Sequence, residues 1–311
     1  MEKAASLLMD EISKVIVGQR QTIRLMVAGM LAGGHILIEG VPGIAKTLAA
    51  RMMAKALGLQ FSRIQFTPDL MPGDLTGSSV FHPENGKFEF HKGPVFTNLL
   101  LADEINRSPA KTQSALFEVM EEYSITVDGV TYAIPPPFMV VATQNPIEME
   151  GTYNLPEAQL DRFMIRLKMG YPEKDEEVSI LQRFKEDFYG TGIGEVRQCL
   201  EKEEILGLRS QVQRIFISDE LVGYIAALVT ATRQNKNLML GASPRASLGL
   251  LRMAKALAGM SGREYVIPED IQDVAQAVIC HRLLLDPEKE LAGITVEWVL
   301  KEIIQSIPVP R

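Results

Sequence analysis

Lys46 and Thr47 close an eight-residue segment, Gly40-Val41-Pro42-Gly43-Ile44-Ala45-Lys46-Thr47, whose residue types and spacing suit a phosphate group. It follows the phosphate-loop pattern G-x-x-x-x-G-K-[ST] except at Ala45, which stands where the second glycine is usual. In such a loop the backbone N–H groups and the positive end of the following helix dipole face the phosphate oxygens. Lys46 adds a point charge, the Thr47 hydroxyl is a ligand for Mg²⁺, and Leu48 continues the first turn beside the nucleotide. Ala45 fits the loop if its φ is negative, because a methyl group then leaves the phosphate approach open; a positive φ there would be a strained conformation.

Binding a phosphate is not hydrolysing one, and a second group of residues supplies what is missing. Leu99-Leu100-Leu101-Ala102 runs into Asp103-Glu104. An apolar strand ending in two carboxylates delivers them to the carboxyl edge of a parallel sheet, where phosphate loops also lie. Asp103 is the Mg²⁺ residue, acting through water, and Glu104 the general base for an attacking water. Phe138–Ala142 is another apolar run ending in polar residues, of which Asn145 has the neutral donor and acceptor needed to orient a water or touch a γ-phosphate. Arg162 either pairs with Asp161 or another surface acid, or serves as an arginine finger in a neighbouring subunit's site. Arg245 follows Ser243-Pro244 at a helix start, where a cation opposes the helix dipole unless an anion is near; this favours a phosphate-sensing role.

The elements that must hold these residues are legible as patterns. Ile36–Ile38, Phe61–Phe66, Leu99–Ala102 and Phe138–Ala142 are short apolar runs between helical stretches, the signature of a mostly parallel α/β sheet, and Phe163–Leu167 reads as a further strand. Thr47–Leu57 is rich in helix formers and stops at Gly58. Beyond about Gly170 the strand signals fade. Ser218–Thr232, a helix from Ser243-Pro244 and one from Pro268 put apolar residues at helical spacing behind capping residues, so the chain divides into 1–170, a nucleotide-binding core, and 171–311, a smaller helical part. The boundary falls near Tyr171-Pro172, and a less regular stretch with glycines follows at 189–194. Two segments break the alternation. Val80–Phe90 carries Asn85-Gly86, and Ser124–Tyr132 carries Asp128-Gly129, so both read as type I′ hairpins.

Bulk composition sets the outer limits. Of 311 residues, 46% are hydrophobic and 23% charged, the balance of a soluble globular protein. A net charge of −7 gives no general attraction to nucleic acid. No apolar run approaches the ~18 residues of a membrane helix, so direct membrane insertion is not expected. The amphipathic, acidic opening is unlike a secretion signal, and Cys199 and Cys280 lie in unrelated segments; a reduced, cytoplasmic protein is the expectation.

Taken together, GVPGIAKT, LLLADEINRSPAKTQSALFEVMEE, VATQNPIEMEGTYNLPEAQLDRF and GASPRA resemble the MoxR branch of the AAA+ ATPases, over nearly the whole chain. The resemblance makes alanine before Lys-Thr a family trait. It implies an α/β nucleotide-binding core followed by a small helical lid, and it implies ATP and Mg²⁺ as cofactors. It makes Asn145 sensor 1, Arg162 the arginine finger and Arg245 sensor 2. It likens Ile16-Val17-Gly18-Gln19 to the segment whose backbone contacts adenine. The hairpin at Val80–Phe90 resembles the helix-2 insert, and that at Ile125–Tyr132 the hairpin before sensor 1. Hexameric rings and chaperone-like work on protein clients, often with von Willebrand factor A domain proteins, are further implications. Two rivals are a nucleic-acid motor and a nucleotide-gated scaffold without turnover. The hairpins are poor in cations, which tells against a motor tracking a phosphate backbone. Intact Asp103-Glu104 and both sensor candidates tell against a scaffold.

Overall fold

A computed structural model describes residues 1–84, 86–146, 153, 155–185, 194 and 196–310. Asn85, residues 147–152 and 154 of the stretch after Asn145, and 189–193 of the glycine-bearing segment lie outside these. The strands are β1 (Ile36–Glu39), β2 (Phe61–Gln65), β3 (Gly77–His82), β4 (Lys87–Lys92), β5 (Leu99–Asp103), β6 (Ser124–Val127), β7 (Val130–Ala133), β8 (Met139–Gln144), β9 (Ile165–Lys168), β10 (Leu238–Leu240) and β11 (Leu284–Leu285). The helices of the first part are α1 (Glu2–Ser13), α2 (Arg20–Leu31), α3 (Lys46–Ala56), α4 (Pro72–Thr76), α5 (Ala110–Glu122) and α6 (Glu157–Leu160). Those that follow are α7 (Lys174–Phe184), α8 (Lys202–Arg214), α9 (Asp219–Gln234), α10 (Pro244–Met260), α11 (Pro268–Ile279), α12 (Pro287–Leu291) and α13 (Val296–Ser306).

The expected apolar runs form one parallel sheet in the order β2-β5-β8-β1-β9. Successive side chains of a strand point to opposite faces, and here both faces are covered. Ile36, Ile38, Leu99, Leu101, Met139 and Val141 enter one hydrophobic cluster; Leu37, Leu100, Ala102, Val140 and Ala142 enter the other, with Phe66, Phe117 and Phe163. The first cluster does not stop at the sheet. It continues without a break through α1, α2 and α3 into Leu228, Leu250, Met253, Leu257, Val274, Val278 and Val299 of the C-terminal helices. Helix α10 packs on α1, α2, α8, α9 and α11.

The C-terminal helices start where their caps predict. The Ser218 hydroxyl accepts from Leu221 N, and the Ser243 hydroxyl accepts from Arg245 N at 3.1 Å. The buried face of α9 is Leu221, Tyr224, Ile225, Leu228, Val229 and Thr232, the set read from helical spacing. This part is not purely helical, since β10 and β11 pair antiparallel. Among the described residues no helix is long and apolar enough to cross a membrane.

Both hairpins form, but only the second has the expected turn. Asp128 and Gly129 both have positive φ between β6 and β7, as type I′ requires. In the first, His82 pairs with Lys87, so the connection is longer than two residues, and Gly86 N donates to His82 O. A two-residue Asn85-Gly86 turn would pull Pro83 into the ladder, where it has no N–H to give. The hairpins meet each other through the stacked rings of Phe90 and Tyr132, 4.4 Å apart.

His35, just ahead of β1, has consequences for stability. It is buried, its Nδ1 accepts from Val140 N at 3.0 Å, and its Nε2 donates to Met120 O at 3.0 Å. Burial holds its pKa at about 4, below the ordinary 6.5. Burial, followed by the neighbouring Arg282 charge, also pushes His281 well below its ordinary value. A folded pKa below the unfolded one means that the unfolded chain takes up the proton first. Stability from His35 is therefore complete above pH 6.5 and falls as pH drops towards 4, by roughly 3 kcal/mol. Urea midpoints should decline across that window, and His35→Gln should flatten the decline. A variant with the parent's pH profile would show that another group controls it.

Candidate functional site

The loop from β1 to α3 turns through two left-handed residues, Gly43 (φ 85°) and Ala45 (φ 64°). The condition under which Ala45 fits without cost is thus not met. Its methyl group sits in a conformation that costs an L-residue roughly 1–2 kcal/mol, because the α3 N-terminus must be reached in so short a turn. Lys46 Nζ folds back over the loop and donates to Gly40 O, to Val41 O at 3.2 Å and to Gln144 O at 3.5 Å. The loop is tied to β8 directly as well, since Gly40 N donates to Gln144 O.

The acidic pair stands two strands away at the same edge. Thr47 Oγ1 donates to Asp103 Oδ2 at 3.0 Å, so the hydroxyl and carboxylate expected to share an ion do meet. Asp103 is buried and also accepts from Thr143 Oγ1 at 2.6 Å and from Arg63 Nε and Nη2 at 3.0 and 2.8 Å. Glu104 has φ 56°, a left-handed conformation of the kind that collects at functional sites. Its N–H donates to Thr143 Oγ1 at 2.9 Å, while its Oε2 accepts from Gln65 Nε2 at 2.8 Å and Arg107 Nη1 at 3.0 Å. Arg63, Gln65, Arg107 and Thr143 did not stand out in the sequence. The signal for two of them was the period of β2, where Arg63 and Gln65 share a face and Gln65 lies beside Asp103 in register.

Asn145 follows β8 directly, is buried, and takes a bond on its main-chain oxygen from Asn106 Nδ2 at 3.4 Å. Since β8 lies between β5 and β1, Asn145 shares the edge with Asp103 and Gly40. On the other side of the loop a cavity of about 230 Å³ is walled by Ile16, Val17, Ile44, Leu48, Pro172 and Ile180. Val17 lines this cavity. Gly18 instead makes a left-handed turn (φ 79°) against which the Glu176 carboxylate leans so closely that a Cβ would collide with it. Arg183 Nη1 donates to Val15 O at 2.8 Å and fixes α7 over the cavity mouth.

Arg162 and Arg245 stand apart from this group and together with each other. Arg162 donates to Phe117 O at 3.0 Å and pairs with Glu121; Arg245 pairs with the same Glu121 and lies 3.8 Å from Asp161. They line a cavity of about 290 Å³ with Gly33, Tyr123, Arg252 and Arg282, into which no residue of 40–47 projects. Arg245, given a phosphate-sensing role on sequence grounds, is separated from its own loop because α10 packs on α2 and its N-cap, Ser243, donates to Asp161 at 2.8 Å. The anion that a cation at a helix start requires is present twice over, as Asp161 and Glu121. Asp161 is also bonded by the buried Arg282 at 2.7 Å; burial lowers the Arg282 pKa and this carboxylate opposes the shift. A buried Nε on Arg162 has no hydrogen-bond partner.

Comparison with known proteins gives this geometry a family. Residues 35–165 match the ATPase family associated with various cellular activities, and 230–303 match the AAA lid domain. The chain is 46% identical to the protein YeaC of Bacillus subtilis, whose function is uncharacterised, over 97% of this chain and 93% of that one. It is 44% identical to the chaperone MoxR1 of Mycobacterium tuberculosis, over 97% of this chain and 81% of the relative. A crystal structure from Cytophaga hutchinsonii, described as that of a candidate ATPase, superposes with a TM-score of 0.92 at 43% identity, covering 100% of this chain and 96% of the other. A match of this extent, together with 30% identity to the protein MoxR of Methylorubrum extorquens over 99% of the chain, shows that the chain belongs to the MoxR family of AAA+ ATPases.

Proposed function

We propose that this chain is a cytoplasmic, Mg²⁺-dependent ATP hydrolase that works as a ring of identical copies and remodels or matures protein partners. The observation that carries the reading is the meeting of Lys46, the Thr47–Asp103 bond and Glu104 at one sheet edge. Oxygen donors only, a hydroxyl and a carboxylate, suit Mg²⁺, and Thr47 and Asp103 would hold it. Bound there, Mg²⁺ supplies positive charge to the β- and γ-phosphates.

The other roles follow from position. Val41, Pro42, Gly43, Ile44 and Ala45 offer main-chain N–H groups, except for Pro42, and Lys46 exchanges its carbonyl partners for phosphate oxygens. Val17 and Leu48 cover the base, while Gly18 holds the turn beside it. Glu104 takes the proton of the attacking water, with Gln65 and Arg107 on Oε2 fixing the carboxylate. Asn145 orients that water. Arg162 and Arg245, held together by Glu121 away from their own loop, serve a neighbouring copy's nucleotide. A division into a core of 1–170 and a lid of 171–311 puts α7, a lid helix, over the nucleotide. The chaperone name of the M. tuberculosis relative supports a protein client. A hexamer, and a von Willebrand factor A domain partner, extend the same reading.

If two copies build each site, turnover depends on assembly. ATP hydrolysis per chain should rise with protein concentration and level off as rings fill. A rate per chain that is constant down to the monomer would refute the shared site.

A further inference from the structure

The β3–β4 hairpin carries a second, separate set of groups with chemistry of its own. Its register pairs Ser78 with His91, Val80 with Glu89 and His82 with Lys87, so His82, Glu89 and His91 project from one face. The opposite face is aromatic: Phe81 contacts Phe88, and Phe90 stacks on Tyr132 of the other hairpin. Phe81 and Phe88 are themselves exposed, and on the histidine face His82 is half-buried while Glu89 and His91 are exposed.

On that face three donor atoms crowd together. His82 Nε2 lies 3.4 Å from His91 Nε2 and 3.4 Å from Glu89 Oε2, and all three ligand atoms are within 4.8 Å of one another. The two imidazoles stack with their centroids 5.7 Å apart. A separation of 3.4 Å is long for a hydrogen bond, whose usual length is about 2.9–3.0 Å. It matches a different quantity. With Zn–N and Zn–O near 2.0–2.1 Å, two ligands of a tetrahedral ion stand about 3.3–3.4 Å apart. Two of the three ligand–ligand edges already have that length before any rotamer moves.

We propose that His82, His91 and Glu89 form a binding site for a divalent transition metal of the zinc class, clamping the two strands of the hairpin. Two imidazoles and one carboxylate are a familiar donor set for zinc, and they leave a fourth position for water. Magnesium does not fit this site, since nitrogen donors suit softer ions. The site is independent of ATP chemistry, because none of its residues belongs to the nucleotide edge.

The test uses the untagged full-length chain, stripped with chelator and without nucleotide. Calorimetric titration with Zn²⁺ should show one saturable site per chain, and Co²⁺ in its place should give the visible absorption of a four-coordinate ion. His82→Ala and His91→Ala should each weaken Zn²⁺ binding at least about 10–100-fold, the loss already seen when mere supporting residues of a metal site are changed. Glu84→Gln, on the same hairpin but outside the cluster, should bind as the parent does. Unchanged urea midpoints in the variants would show that the loss is not unfolding. Equal Zn²⁺ affinity in His82→Ala and the parent would overturn the proposal, and so would a titration with no saturable site.

Discussion

Glu104→Gln lowers steady-state ATP hydrolysis by about 10²–10⁴-fold, the usual worth of a positioned general base, and leaves ATP affinity close to that of the parent. The substitution is nearly isosteric. A glutamine oxygen can still accept from Gln65 Nε2 and Arg107 Nη1, so the local network survives. Lys46, Thr47 and Asp103, which carry nucleotide binding in this reading, are untouched. What is lost is the ability to take a proton from water. Phosphate release measured beside nucleotide affinity on the same preparation separates the two effects. A variant that turns over at the parent's rate would remove Glu104 from the role of base. A variant that no longer binds ATP would show that the carboxylate supports the loop. The Glu104→Gln ring, filled but unable to empty, is also the form in which a client should stay bound.

Arg162→Ala and Lys46→Ala are each expected to be inactive alone and to recover activity when mixed. An arginine finger is worth about 10³–10⁵ in rate, so the first variant keeps little hydrolysis. The second loses nucleotide. In a ring each site is completed by the next copy, so an Arg162→Ala site beside a Lys46→Ala neighbour has an intact loop and an intact finger. In a random equal mixture roughly a quarter of interfaces have that arrangement, given head-to-tail contacts around a closed ring. Partial recovery in that proportion supports action across the interface. Recovery absent from rings that still assemble would count against it. Arg245→Ala, mixed in the same way, reports whether the second arginine works from the same side.

Much of this is legible in the amino-acid sequence, and the remainder is hidden there for identifiable reasons. Parallel strands buried on both faces read as plain apolar runs, so Ile36–Ile38 and Leu99–Ala102 were visible, and the residues just past them fell at the sheet edge. Caps such as Ser218 and Ser243 marked helix starts because a hydroxyl that accepts from the first turn acts within three residues of itself. The failures were non-local or conformational. A sequence does not print φ, so the left-handed state of Ala45 was open until the loop was seen. Arg63 and Gln65 were masked by the apolar run from Phe61 to Phe66 in which they sit, and their use depends on which strand lies next to β2. Glu121 carries no mark of its use in the sequence; only the fold brings Arg162 and Arg245 to it. The first hairpin was drawn to Asn85-Gly86 by local turn preference, and Pro83 moved the register by two.

The hydrophobic cluster that runs from the sheet through α1 and α2 into α8–α11 and α13 bears on how such a molecule can do mechanical work. Two bodies joined by a strip of chain can swing apart like a door. Here the inner surfaces are interlocked side chains packed at solid density, and opening them would expose apolar area at about 25 cal/mol per Å². Motion that avoids this is sliding, in small steps of one packed layer over another. In the proposed ring such a chain would act as a stiff gear tooth, passing a push at its nucleotide edge to its neighbours more readily than absorbing it within itself.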